Sequence, residues 1–174
     1  YEYYGVKPDL ICCGKGMGGG IPISGVIGKR AIMDLPEVGN MSSTHSANPL
    51  ACYAGLAVLE EINNKKLLQN TKYKEKILFS KLNQIKDKFP KEILYVEGKG
   101  LIAALIFDLN STKNIKKILK SIVENCLKQG LLVVYTGRES IKIGPPLTIT
   151  KSALIEGINV LDRAISEELI KIYR

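Results

Sequence analysis

Pro8-Asp9-Leu10-Ile11-Cys12-Cys13-Gly14-Lys15-Gly16-Met17-Gly18-Gly19-Gly20-Ile21-Pro22 places a lone lysine at the end of an apolar run and inside a series of glycines. The run at residues 10–13 reads as a buried strand, and the glycines let backbone approach a ligand closely. A lysine kept for solubility belongs on a solvated helix face. Lys15 instead sits where an amine can lose its proton and attack a carbonyl to form a Schiff base. Two other readings compete. Gly14, Gly16 and Gly19 satisfy G-x-G-x-x-G after a strand, the dinucleotide fingerprint, but the following Ile21-Pro22-Ile23-Ser24-Gly25-Val26-Ile27-Gly28 reads as extended chain and offers no helix N-terminus to a pyrophosphate. On this segment alone the glycines could also make turns around a solvated Lys15. The phosphate-loop pattern fails, since no Ser or Thr follows Lys15 and no glycine stands five residues before Gly14.

Further along, Ser42-Ser43-Thr44-His45-Ser46 forms a polar turn before a helix, with Asn48 as N-cap and Pro49 at the first helical position. An anion near that helix start would gain from free amides. His45 is the only histidine, so it belongs to no multi-histidine metal site.

Taken in order and spacing, Tyr4-Gly5-Val6-Lys7-Pro8-Asp9-Leu10-Ile11, the glycine-flanked Lys15, Ser43-Thr44-His45-Ser46-Ala47-Asn48-Pro49-Leu50-Ala51-Cys52 and Ile141-Lys142-Ile143-Gly144-Pro145-Pro146-Leu147-Thr148-Ile149 resemble the class III aminotransferases that depend on pyridoxal 5'-phosphate. The resemblance covers essentially the whole chain. It implies a fold-type-I α/β enzyme, with residues 1–64 as the end of the large cofactor-binding domain and residues 65–174 as an α+β C-terminal small domain. It implies that Lys15 carries the cofactor as a Schiff base and shuttles protons during exchange between an amino donor and an oxo-acid acceptor. An amine can act both as a reversible tether and as a movable base, which a permanently charged guanidinium cannot. It implies that Thr44 hydrogen-bonds the cofactor phosphate across a homodimer interface, and that His45 packs beside the phosphate loop in place of a planar residue. An aminomutase or decarboxylase outcome is compatible with the same resemblance.

Lys142 departs from the family pattern, in which many members place an arginine to clamp a substrate carboxylate with two hydrogen bonds. An ammonium cannot reproduce that fork. Lys142 is therefore a candidate substrate-binding point charge, with Arg138 as a nearby substitute. The other options are an amine or amino-sugar substrate that needs no clamp, or a solvent-facing side chain. The first residues already resemble the middle of a larger enzyme, so the chain is expected to be a C-terminal portion. The family's upstream Gly-Ser phosphate loop, its ring-stacking aromatic residue and the acid that pairs with the pyridinium nitrogen are missing from it. The isolated chain is expected to turn over little or no substrate, or to be a non-catalytic fragment that folds or dimerises.

Periodicity supplies the remaining elements. A helix over residues 51–62 precedes Asn63-Asn64. Leu78, Leu82, Ile85 and Phe89 make one apolar stripe on a helix closed by Pro90. Residues 93–97 and 101–108 read as strands joined through Gly98-Lys99-Gly100. Ile115, Ile118, Ile122 and Cys126 form the buried face of a helix that stops at Gly130. Residues 131–135 and 141–143 are short strands. A last helix from Thr150 presents Leu154, Ile158, Leu161, Ile165, Leu169 and Ile172.

With 174 residues and 45% hydrophobic composition the chain can bury a core. Its net charge of +8 invites a nucleic-acid reading, but lysine outnumbers arginine 21 to 4, and the lysines of residues 65–91 fall opposite an apolar stripe, where a solvated face is the usual explanation. No nucleic-acid partner is expected. Four cysteines without C-x-x-C spacing suggest neither zinc nor a disulfide framework, which makes a reducing cytoplasm the expected compartment. No apolar run approaches a membrane span.

Overall fold

The computed structural model describes residues 1–111 and 114–171. The chain divides into two compact units, Tyr1–Lys66 and Leu67–Arg174. Helices and antiparallel sheets alternate along it, an α/β arrangement.

The first unit contains strand β1 (Leu10–Cys13), strand β2 (Gly25–Gly28), the short helix α1 (Arg30–Met33) and the long helix α2 (Pro49–Asn64). β1 and β2 pair antiparallel, with Ile11 opposite Ile27 and Cys13 opposite Gly25. The extended reading of residues 21–28 holds over β2. The expectation of a buried β1 does not: Leu10 and Cys12 are exposed, Ile11 and Cys13 half-buried. β2 is the only strand paired with β1 among the described residues, so a sequence suited to a sheet interior is covered along one edge only. α2 starts as expected. The Asn48 side-chain oxygen accepts from the Leu50 and Ala51 amides at 3.0 and 3.4 Å, and Pro49 occupies the first turn.

The second unit is a four-stranded antiparallel sheet in the order β3 (Ile93–Lys99), β4 (Ile102–Phe107), β6 (Ser140–Ile143), β5 (Val134–Tyr135), packed with helices α3 (Leu67–Lys88), α4 (Ile115–Lys128) and α5 (Lys151–Ile170). The sheet's apolar face supplies Ala103, Leu105, Phe107, Ile141 and Ile143. The helices answer with Leu78, Leu82 and Ile85, with Leu119 and Ile122, and with Leu154, Leu161 and Ile165, all within one core cluster. On β3, Ile93 is buried and Val96 half-buried, an odd spacing that simple alternation would send to opposite faces. A register shift between Ile93 and Tyr95 reconciles them.

Several boundaries differ from the expectations. Gly98 and Lys99 belong to β3, and the turn to β4 falls at Gly100-Leu101. The inner face of α4 is Ile115, Leu119, Ile122 and Cys126, while Ile118 flanks the core half-buried: spacings of four, three and four follow the helical period more closely than the stripe through Ile118. Only Val134–Tyr135 of residues 131–135 pairs as a strand. Thr150 caps α5 through its hydroxyl, which accepts from the Ala153 amide at 3.1 Å, and the expected apolar face follows through Leu169. Ile172 lies outside the described residues. The solvated-lysine reading of α3 fails at Lys74, which is only 4% exposed and donates to the Ile149 carbonyl. The buried ammonium ties α3 to the segment that leads into α5.

Candidate active site

The apolar run stops at Gly14, which is still extended, and Lys15 turns sharply with φ of 53°, a left-handed conformation rare for a residue with a side chain. From there Lys15–Gly18 makes one 3-10 turn. The Met17 amide donates to the Gly14 carbonyl and the Gly19 amide to the Gly16 carbonyl, both at 3.1 Å. Gly18 is buried. A Cβ there would lie 2.8 Å from Ile23 Cγ2, so the turn closes onto the chain entering β2 only because that position has no side chain. Gly19 continues at φ of 61° beside Val58 of α2. The turn that carries Lys15 is thus held between the approach to β2 and one face of α2.

Lys15 opens onto a cavity of about 660 Å³. Pro22, Ile23 and Ser24 form one wall. Ser43, His45, Ser46, Ala47 and Asn48 form another, with Ala51 of α2 behind them. The second wall is set by local hydrogen bonds: the Ser46 amide and hydroxyl both donate to the Ser43 carbonyl, at 3.0 and 2.7 Å, and Ala47 follows at φ of 53°. Two left-handed, non-glycine residues therefore line one cavity. Such strain clusters where surrounding structure over-determines a functional geometry.

Lys15 and the turn before α2, distant in sequence, meet on this cavity. Thr44 sits between two residues of its wall without lining it. Lys142 is not on the wall either. It is an exposed residue of the second unit's sheet, registered opposite Ala104 on one side and Val134 on the other, on the face turned away from the helices. Ser24 was invisible to sequence reading, because one hydroxyl in extended chain has no spacing signal.

The helix start offers less to an anion than the sequence suggested. Pro49 has no amide hydrogen, Leu50 and Ala51 give theirs to the Asn48 side chain, and Cys52 donates to the Asn48 carbonyl at 2.9 Å. The expected free amides are occupied. Lys15 and His45 are the ionisable residues of the wall, which includes no carboxylate. Among the described residues no group of three or more His, Cys, Asp or Glu could hold a metal ion, and no helix is long and apolar enough to cross a membrane. All four cysteines are free thiols. Cys126 lies in the core, where burial pushes its thiol up to about 11.

An antiparallel α/β chain with a glycine-clamped lysine on a cavity matches known proteins along nearly its full length. The family model for class-III aminotransferases matches residues 1–165, and the chain belongs to that family. It is 37% identical over 166 residues to the acetylornithine aminotransferase of Synechocystis sp., covering 95% of this chain and 38% of that protein. It is 38% identical over 169 residues to the leucine/methionine racemase of Thermococcus litoralis, again covering 95% of this chain and 38% of the relative. Among solved structures, the acetylornithine aminotransferase from Elizabethkingia anophelis superimposes with a TM-score of 0.85 at 29% identity, over 95% of this chain and 43% of that one. The chain thus spans well under half the length of these relatives.

Proposed function

We propose that this chain is the lysine-bearing portion of a pyridoxal-phosphate-dependent aminotransferase that moves an amino group from an amino donor to an oxo-acid acceptor. The carrying observation is Lys15, fixed in a strained turn on the wall of a cavity that also gathers Ser24, Ser43 and His45. That donor set fits the cofactor at two ends: an amine for its aldehyde, and hydroxyls with an imidazole for its phosphate. When bound, the cofactor supplies an electron sink for the bonds at the donor's α-carbon. Lys15 would hold the cofactor through its aldehyde, and its amine would serve as the base that moves the proton at the donor's α-carbon. Thr44 serves the phosphate of a partner subunit in a homodimer, consistent with its place beside the cavity wall rather than on it. Lys142 attracts a substrate carboxylate as a point charge without the two-pronged geometry of arginine.

In this reading residues 1–64 end the large cofactor-binding domain, residues 65–174 form the small C-terminal domain, and the enzyme works in the cytoplasm. The wall includes no acid to pair with a pyridinium nitrogen, so the 174-residue chain by itself turns over little or no substrate.

The test adds pyridoxal 5'-phosphate and follows the visible absorption band of cofactor held by a lysine, with Lys15→Ala as control. Identical spectra for the two proteins refute the role of Lys15, and robust turnover by the isolated chain refutes its incompleteness. The racemase among the relatives favours one competing outcome at the same lysine, return of the proton to the opposite face of the α-carbon. Chiral analysis of recovered amino donor, alongside assay of the oxo product, separates transfer from racemisation.

A further inference from the structure

We infer that the first unit binds one soft, monovalent metal ion, Cu(I), between the sulfur atoms of Cys12, Met33 and Met41. The three residues come from β1, from α1 and from the segment that leads to α2, and all line one cavity of about 570 Å³. Lys15 is not on its wall, so this inference stands apart from the proposed cofactor site. The β1–β2 pair sets two of the sulfurs on one face. Leu10 stands opposite Gly28 and Cys12 opposite Val26, and alternation puts the side chains of Leu10, Cys12 and Val26 on the same side while Cys13 points away. Gly28 leaves the gap that Met33 fills: a Cβ there would lie 3.0 Å from Met33 Sδ. Cys12 is the diagonal neighbour of that position, at a typical separation of about 7–8 Å. Methionine has three rotatable bonds, so rotation brings both sulfurs to one ion without moving the strands. Met41 has the same freedom. It is 81% exposed and Met33 41%, whereas a methionine that only fills a core is buried.

Donor chemistry selects the ion. Thiolate and thioether sulfurs favour Cu(I) over harder divalent ions, and the oxygen side chains of this wall are only Glu37 and Ser42. Cys12 binds as the thiolate: its proton leaves to solvent as the copper–sulfur bond forms, no electron is transferred, and the thiolate charge cancels that of the ion. Two neutral thioethers complete three-coordination.

The test titrates the full 174-residue chain with Cu(I), kept reduced by ascorbate under nitrogen, against the chromophoric chelator bicinchoninate. One ion per chain is expected, with three sulfur neighbours in its X-ray absorption spectrum. Cys12→Ser, and Met33→Leu combined with Met41→Leu, should each weaken binding at least about tenfold. Cys13→Ser and Met17→Leu should leave it unchanged, since neither side chain lines the cavity. Leucine keeps the volume and apolar character of methionine, so an unaltered circular dichroism spectrum separates lost donors from lost fold. Equal losses in Cys13→Ser and Cys12→Ser overturn the site, because the metal is then held by the adjacent thiols. Undiminished affinity in the methionine double variant overturns it too, and fewer than three sulfur neighbours in the wild-type spectrum does so without any variant. Lys15→Ala should bind Cu(I) as the wild type does, so failure of the cofactor site and failure of this one are read independently.

Discussion

Replacing Lys15 by alanine and by glycine separates the amine from the backbone that presents it. Both variants lose the nitrogen, so on the proposed role of Lys15 neither shows a cofactor band and spectroscopy treats them alike. Their stabilities differ in sign according to the backbone. At φ of 53° a side chain brings Cβ close to the following carbonyl, at a cost of about 1–2 kcal/mol that glycine avoids. Glycine in turn gives the unfolded chain more freedom, worth about 0.5–1 kcal/mol in alanine's favour at an ordinary position. The difference leaves Lys15→Gly more stable than Lys15→Ala by up to about 1.5 kcal/mol, whereas at negative φ the order reverses. The chain has no tryptophan, so urea unfolding is best followed by far-UV circular dichroism. Hydrogen exchange of peptides spanning residues 10–28 localises the effect, because two compact units need not unfold in one transition. An alanine variant more stable than the glycine variant refutes the claim that residue 15 is held under strain.

Four further outcomes follow from the same backbone and packing. Ala47→Gly should raise stability by several tenths of a kcal/mol in urea unfolding, since Ala47 also sits at φ of 53°. Asn48→Ala should lower it by about 1 kcal/mol and speed amide exchange at Leu50 and Ala51, which lose their acceptor. Gly98→Ala should cost more than about 2 kcal/mol, because φ is 135° and the new Cβ would lie 2.0 Å from the Ile102 carbonyl oxygen; a near-wild-type urea midpoint would sink the β3–β4 geometry. Burial holds the Cys126 thiol neutral up to about 11, so its contribution is complete below the thiol's unfolded value near 9 and fades as pH rises through 11. Between pH 8 and 11 the wild-type chain should lose about 2–3 kcal/mol more than Cys126→Ala, by urea unfolding at each pH.

Elements governed by local chemistry were legible in the sequence. Asn48 and Pro49 mark the start of α2, Thr150 marks that of α5, and the glycines around Lys15 mark a turn, because caps and turns depend on residues a few positions apart. What depends on distant partners was not legible. The burial of β1 could not be read from Leu10–Cys13, since an apolar strand looks the same whether one neighbour or two lie beside it. Lys74 looked like its solvated neighbours until the carbonyl of Ile149, far along the chain, supplied an acceptor. The outward direction of Lys142 required the β4–β6 register, which places it opposite Ala104.

The same division explains why the start of α2 was misjudged as a source of free amides. A proline at the first helical position and an asparagine before it are start signals, and a helix start is ordinarily an anion site. Yet the residues that announce the helix also use up its donors: proline removes one amide hydrogen, the asparagine side chain accepts two, and its carbonyl accepts the next. A strong cap and an open anion site are alternatives at one helix end, because both draw on the same few N–H groups. In this chain the cap has them. Beside that capped helix start, Ser43 and His45 of the preceding turn line the cavity with side chains that the cap does not use.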